Sequence, residues 1–497
     1  MTLLSAVAAV EETPVDRFLA EQADLSAVER FAQRHAAELV PAQARYYRDL
    51  VPLTAPGPGQ QYAFEVDLDA CTGCKACVAA CHSLNGLDDG ESWRSVTTVA
   101  GTVGEVPFQQ TVTAACHHCA DPACLNGCPV DAYEKDPVTG IVVHLDDQCI
   151  GCSYCTLTCP YEVPVYNDAR GIVRKCDLCR GRLAEGEAPA CVQACPNQAI
   201  AVRVVDIAAA RQAALAPSPT VVAGMPSPAI TIPSTVYLSA SGRVAAMAAA
   251  TPARPAPARA HPPLAAMLVL TQLSVGAFVT DLVLGRSSML HALVAIGAGL
   301  VALAASTLHL GRPQYAYRAV IGLRHSWLSR EVVAFGAFTG LALLHALGVL
   351  PTPVGWAAAA AGLFGVACSV LIYTSTRRAA WRPPVVVATF GSTTVILGLA
   401  ATAWASAVSG TRVLSSVTVV VATLAALKLA AEATRVGRLH PDLSRRAQAR
   451  YACGAGAVVL VAVAAIVPLV WTAVLGALVA GEYLERWLFF TTASPAR

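Results

Sequence analysis

Cys149-Ile-Gly-Cys152-Ser-Tyr-Cys155-Thr-Leu-Thr-Cys159-Pro160 decides the reading of this chain. The spacing C-x2-C-x2-C-x3-C-P puts three thiols on one tight loop and sends a fourth, ahead of a proline, towards a neighbouring site, as in the bacterial ferredoxin run. Three more groups surround it: Cys71, Cys74, Cys77 and Cys81; Cys116, Cys119, Cys124 and Cys128; Cys176, Cys179, Cys191 and Cys195. Together they take all but two of the 18 cysteines, and three of the four groups end in Cys-Pro. A cubane needs one thiolate per iron, so the block predicts four [4Fe–4S] clusters. Structural zinc also uses four thiols per site, but usually as two separated Cys pairs. A disulfide scaffold would need an oxidising compartment, and Met1–Val10 lacks the basic start of a secretory signal.

The flanking residues suggest how the groups pair. Between Cys128 and Cys149, the turn residues Asp136, Pro137 and Gly140 separate two short strand-like runs, so groups two and three read as one complete two-cluster ferredoxin. Phe64–Ala70 before the block and Asn197–Val205 after it resemble the opening and closing strands of a second ferredoxin that contains the first. On that nesting, Cys71, Cys74, Cys77 and Cys195 share one cluster, and Cys176, Cys179, Cys191 and Cys81 its partner. Cys116, Cys119, Cys124 and Cys159 share a third, and Cys149, Cys152, Cys155 and Cys128 the fourth. Arg174, Lys175, Arg180 and Arg182 crowd the fourth group, where cations would favour a reduced cluster or simply form a solvated basic face.

Beyond the cysteines the composition changes. Residues 216–263 are rich in Pro, Ala and Ser and suit an extended connector. The protein as a whole is 55% hydrophobic with mean hydropathy +0.53, high for a molecule of which nearly half is a polar cluster domain. Seven apolar runs are long enough to span a bilayer: Leu264–Leu284, Ser288–Leu310, Glu331–Leu350, Val354–Tyr373, Pro384–Val408, Val413–Ala433 and Ala452–Ala480. Arginines gather in the connections after the second, fourth and sixth runs, on the face that also carries the cluster domain. The positive-inside rule makes that face cytoplasmic, unless the arginines serve to dock the cluster domain. A net charge of +2 decides nothing further, and no nucleic-acid partner is expected.

His309-Leu-Gly-Arg312-Pro follows the second run, and Ser326-Trp-Leu-Ser-Arg-Glu331 opens the third. A quinone headgroup needs hydrogen-bond partners for its oxygens and a path for protons, which a histidine and a glutamate at the interface can supply. Arg312 is a further candidate for orienting the headgroup. Helix-end stabilisation by the helix dipole is the plainer use of the same residues.

Here the resemblance becomes specific. The four cysteine groups look like the iron–sulfur subunit of dimethyl sulfoxide reductase and its relatives, and HLGRP followed by SWLSRE looks like a DmsC-type membrane anchor, the two fused in one chain. The resemblance implies that a separate molybdopterin subunit converts the substrate, that the cysteines ligate clusters, and that the anchor exchanges electrons with quinone at His309 and Glu331. It also implies a four-iron cluster at Cys152, because a related nitrate reductase subunit has tryptophan at the matching place and a three-iron cluster. Family anchors usually have eight spans, against seven counted here.

The expected fold is an α+β ferredoxin-like four-cluster domain of two nested two-cluster units, followed by an all-α polytopic membrane helix bundle. Its segments are an N-terminal helical extension (1–60), in which Ser26-Ala-Val-Glu29 fits a capping box, the cluster domain (61–215), the connector (216–263) and the anchor (264–497). The expected place is a bacterial or archaeal cytoplasmic membrane, in contact with lipid and the quinone pool. Two other classes fit parts of the pattern. One is a haem b quinone anchor of the formate dehydrogenase kind, with His291 and His345 as axial ligands; the other is a zinc-binding assembly or docking protein.

Overall fold

The computed structural model describes residues 13–23, 26, 29, 46–216, 222, 225–244, 248–249, 257–285, 289–349, 351–436 and 441–493. Ser26 and Glu29 make the reciprocal capping-box bonds, Glu29 N to Ser26 Oγ at 3.2 Å and Ser26 N to Glu29 Oε2 at 2.8 Å. The helix they would open lies largely outside the described residues.

The nesting is visible in the strand pairing. β1 (Gln60–Asp67) runs antiparallel to β8 (Ile200–Asp206), with Gln60 opposite Asp206 and Val66 opposite Ile200, so the first and last strands of the cysteine block close on each other. Inside that frame, β4 (Tyr133–Lys135) pairs with β5 (Val142–His144) across the Asp136–Gly140 turn. The long hairpin of β2 (Ser95–Val103) and β3 (Val106–Ala114), and the short one of β6 (Val165–Asn167) and β7 (Ile172–Arg174), complete the domain.

The described part of the Pro/Ala/Ser-rich stretch is mostly extended, in line with its composition, but it does not hang free. β9 (Val236–Leu238) adds to β1 in parallel, and Val222, Thr231, Ile232, Ser234 and Val244 are buried against the cluster domain. Within the segment read as a connector, residues 225–244 therefore form a strap over that domain.

The anchor contains eight long helices among the described residues. They are α1 (Pro262–Leu284), α2 (Met289–Leu308), α3 (Trp327–Ala346), α4 (Thr352–Thr374), α5 (Pro383–Val408), α6 (Ser415–Val436), α7 (Pro441–Ala464) and α8 (Trp471–Thr491). The first seven are long and apolar enough to cross a membrane. The run Ala452–Ala480 is not one span: it breaks before Pro468, which lacks an N–H and disfavours helix at the preceding residue. α7 thus starts earlier, and α8, with Glu482, Glu485 and Arg486, follows as a separate and more charged helix. α1 and α5 form the centre of the bundle. They cross at Gly276 and Gly398, where a Cβ on either residue would overlap the facing backbone, the small-residue approach that membrane helices use to pack closely.

Candidate functional site

The loops Cys71–Cys77 and Cys149–Cys155 have one backbone shape. Gly73 and Gly151 have φ of 74° and 72°, and Lys75 and Ser153 have φ of 61° and 58°. A left-handed residue at each of these points curls the loop so that successive thiols turn inwards. The structure gathers Cys71, Cys74, Cys77 and Cys195 around one cavity, and Cys116, Cys119, Cys124 and Cys159 around another. Cys81 lies with Cys176, Cys179 and Cys191, and Cys128 with Cys149, Cys152 and Cys155. Backbone N–H groups of Ala132, Gly151, Leu178 and Ala199 point at the sulfurs of Cys128, Cys149, Cys176 and Cys195 at 3.3–3.4 Å. Such bonds are a recognised means of tuning cluster potential.

The donor set fits a metal–sulfur cluster. Burial pushes the Cys81 thiol up to about 12, and those of Cys128 and Cys159 to about 11. Thiols so placed are neutral unless a bound cation holds them as thiolates. Among the described residues, no three His, Cys, Asp or Glu side chains close on a single-ion site.

The four groups stand in a row, with a buried residue at each junction. Arg94, 2% exposed, lies within electrostatic reach of Cys77, Cys81, Cys176 and Cys191, joining the first site to the second. Lys175, 3% exposed, lies near Cys116, Cys124 and Cys176, joining the second to the third. Burial opposes its charge, but the neighbouring sulfurs of Cys116, Cys124 and Cys176, when ionised, raise its pKa. Tyr133 lies near Cys124, Cys128 and Cys155, joining the third to the fourth. Of the four cations noted in the sequence, Lys175 alone is buried between sites: Arg174 pairs with Glu91 at 2.7 Å, Arg182 pairs with Glu187 at 2.7 Å, and Arg180 is exposed. Cys74, at the far end of the row, is exposed.

The near end meets the anchor. Gly311 N bonds to Gly151 O at 3.3 Å and Arg312 N to Ile150 O at 3.1 Å, so the HLGRP loop lies directly on the Cys149–Cys155 loop. Gly151, Gly171 and Gly311 are stacked backbone to backbone with no room for a Cβ. Tyr154 plugs into the helix bundle, its hydroxyl donating to Ile372 O at 2.8 Å. Gly322 N, His325 Nε2 and Ser326 Oγ bond to the carbonyls of Pro129, Cys128 and Gly127.

The arginine-rich connections take part in this docking. Arg312 Nη1 donates to Asp146 O at 2.8 Å, Arg318 to Asp147 O at 2.7 Å, and Arg378 to Leu157 O and Thr156 O. The guanidinium of Arg312 is thus engaged with the cluster domain. These three residues are explained by docking and add nothing to a charge count for topology.

Glu331, 3% exposed on the first turns of α3, accepts a hydrogen bond from Ser369 on α4, and Tyr154 lies within its electrostatic reach. His309 is partly buried just beyond α2, with the Ser306 backbone within hydrogen-bonding reach of its ring. Burial, helped by neighbouring His261, lowers its pKa to about 4, so the ring is neutral at ordinary pH. At the distal end, His291 faces Asp281 at 3.8 Å, whereas His345 lies against Gly355 and 6.1 Å from the Phe278 ring.

Thiol-lined cavities in nested ferredoxin units, seated on apolar membrane helices, define a multi-pass membrane iron–sulfur protein. Residues 108–205 match the 4Fe-4S dicluster domain family, and residues 260–491 match the DMSO reductase anchor subunit (DmsC) family. The B subunit of anaerobic dimethyl sulfoxide reductase from Escherichia coli (strain K12) is 40% identical over 154 residues, which are 29% of this chain and 75% of that protein. The probable anaerobic dimethyl sulfoxide reductase subunit YnfG of the same organism is 40% identical over 148 residues, 28% of this chain and 72% of the relative. The B subunit from Haemophilus influenzae is 36% identical over 172 residues, 32% and 83% of the two proteins. The protein belongs to the family of the dimethyl sulfoxide reductase B subunit, joined here in one polypeptide to a DmsC-type anchor.

Arg94, Tyr133 and Tyr154 were not singled out from the sequence. Tyr154 sits between two ligand-spaced cysteines, so its position was visible but its burial in the anchor was not.

Proposed function

We propose that this chain relays electrons between membrane quinone or quinol and a separate molybdopterin-containing catalytic subunit, through four [4Fe–4S] clusters held by the sixteen cysteines. The observation that carries the reading is the row from exposed Cys74 to Cys152, whose last member packs on the anchor core, with Tyr154 next to it within electrostatic reach of Glu331. When bound, the clusters supply one-electron carriers at each station of that row. Arg94 and Lys175 place positive charge at two of the junctions, which favours acceptance of an electron there. Neutral His309 offers a hydrogen bond to a headgroup oxygen, and the Glu331 carboxylate takes or returns its proton. The exposed Cys74 end is where the catalytic subunit docks.

The experiment uses membranes that contain the whole complex. Quinol should reduce the clusters and support turnover, and an artificial dye should drive the same turnover without quinol. Dye-linked turnover with clusters that quinol cannot reduce would refute the anchor's part of the reading.

We place the cluster domain on the cytoplasmic side. Arg324, Arg377, Arg382, Arg445 and Arg446 lie in the cluster-side connections or beside them, against Arg412 in the described part of the opposite face. A reporter inserted at Gly410 should behave as external. Internal behaviour would put the clusters outside.

A further inference from the structure

A second set of ionisable groups lies inside the anchor, away from His309 and Glu331. Lys428 on α6 bonds to Glu482 on α8, and to Thr393 on α5 at 2.7 Å, and the Thr393 hydroxyl donates to the same carboxylate at 2.6 Å. Arg450 on α7 reaches Glu482 at 3.1 Å and both carboxylate oxygens of Glu432 at 3.1 and 3.2 Å. Arg486 bonds to Gln272 on α1 at 2.9 Å and to Thr393 at 3.3 Å, and pairs with Glu485 at 3.3 Å. Three cations thus balance three carboxylates, and Lys428, Arg450, Glu482 and Arg486 are each at most 9% exposed. Replacing a buried ionic network by well-packed apolar residues is often neutral or stabilising, so stability is weak grounds for such a network. Buried ionisable groups are rare in membrane helix bundles, and one of their uses is an ion or proton pathway.

One end of the network opens. A cavity of about 110 Å³ at the cluster-side ends of α5 to α8 is lined by Trp381, Glu432, Arg450, Tyr451, Glu485 and Phe489 among others. On this measure one water needs roughly 10–15 Å³, so several fit. Two carboxylates face one guanidinium there, which suits hydronium and disfavours an anionic headgroup. The other end approaches the quinone site. Arg486 lies over the Phe390 ring at 4.1 Å, and Tyr373 packs on Phe390 at 5.7 Å and on Phe489 at 5.1 Å. Tyr373 is one turn along α4 from Ser369, the partner of Glu331, and lies within electrostatic reach of both Glu331 and Arg486. Directly above Glu331 the exit is covered, because Tyr154, Ser326 and Ser329 bond the cluster domain down onto α3 and α4.

We propose that this network, with Tyr373, is the proton route between the covered quinone site and water in the cavity. The inference rests on the quinone reading above. When quinol is oxidised, its two O–H bonds break, its two electrons enter the cluster row, and its protons pass through Glu331 and the Glu482–Lys428 pair to the Glu432 and Glu485 carboxylates. Quinone reduction runs the same path backwards.

The test is Glu482→Gln, and separately the double variant Glu432→Gln with Glu485→Gln, in membranes containing the full complex. Quinol-linked turnover should fall at least tenfold, show a larger solvent deuterium isotope effect, and recover partly when a small weak acid such as formate is added. Dye-linked turnover, cluster EPR and binding of a fluorescent quinol analogue should not change. If Glu482→Gln does not assemble, the double variant on the cavity wall decides by the same readouts. Normal turnover with an unchanged isotope effect, or a loss that no weak acid rescues, overturns the route. A functional Glu331→Gln protein would instead remove the quinone site on which the route depends.

Discussion

Glu331→Gln and His309→Ala are each expected to lower quinol-linked turnover by about 10²-fold or more, the usual range for removing a positioned proton donor or acceptor. Dye-linked turnover should be unaffected. Glutamine keeps the shape of Glu331 and can still bond to Ser369, so only the ability to take a proton is lost. His309 contributes differently. With its pKa near 4 the ring stays neutral from about pH 5 upwards, so it serves as a hydrogen-bond partner and its titration does not shape the pH profile of turnover in that range. Steady-state kinetics with quinol and with dye on the same membranes measure both effects. Normal quinol kinetics in both variants would reduce the two residues to helix-end structure.

Gly311→Val should have an effect of similar size by another cause. Any Cβ at Gly311 overlaps Gly171 O and the Tyr166 hydroxyl. The HLGRP loop must then lift away from the Cys149–Cys155 loop, breaking the Gly311–Gly151 and Arg312–Ile150 backbone bonds. A misplacement of about 1 Å between reacting groups can cost about 10²-fold. Iron content and dye-linked turnover should survive, since the two domains are covalently joined and each keeps its own core. Gly336→Ala on α3, where a Cβ meets open space, is the control. Full quinol turnover in Gly311→Val would mean that this contact does not set the distance between anchor and cluster.

The parts of this molecule that were legible in its sequence are local. Cysteine spacing, the turn at Asp136–Gly140 and the strand-like runs at both ends of the block each depend on a few adjacent residues, and the nested strands follow from them. The order of the four groups was not legible. It depends on where Arg94, Lys175 and Tyr133 are buried, and burial of a charge between distant loops leaves no periodic signal. The arginine-rich connections were legible as a face but not as a use, because a docked carbonyl and a cytoplasmic surface ask for the same residue. Apolarity carried the reading of Ala452–Ala480 past Pro468, whose missing N–H marked the helix break. Lys428, inside the run Val413–Ala433, was not singled out from the sequence; its partner Glu482 lies 54 residues further on, and only the bundle brings them together.

The most direct test of the central claim is iron and acid-labile sulfide analysis with EPR on the anaerobically purified full-length protein, alongside Cys152→Ser. Four cubanes on the sixteen cysteines predict about sixteen irons per molecule. In Cys152→Ser one iron loses its thiolate, so the content should drop by about one and a three-iron signal should appear in the oxidised protein. About eight irons in fully loaded protein, or a Cys152→Ser variant with unchanged iron and EPR, would contradict the four-cluster row.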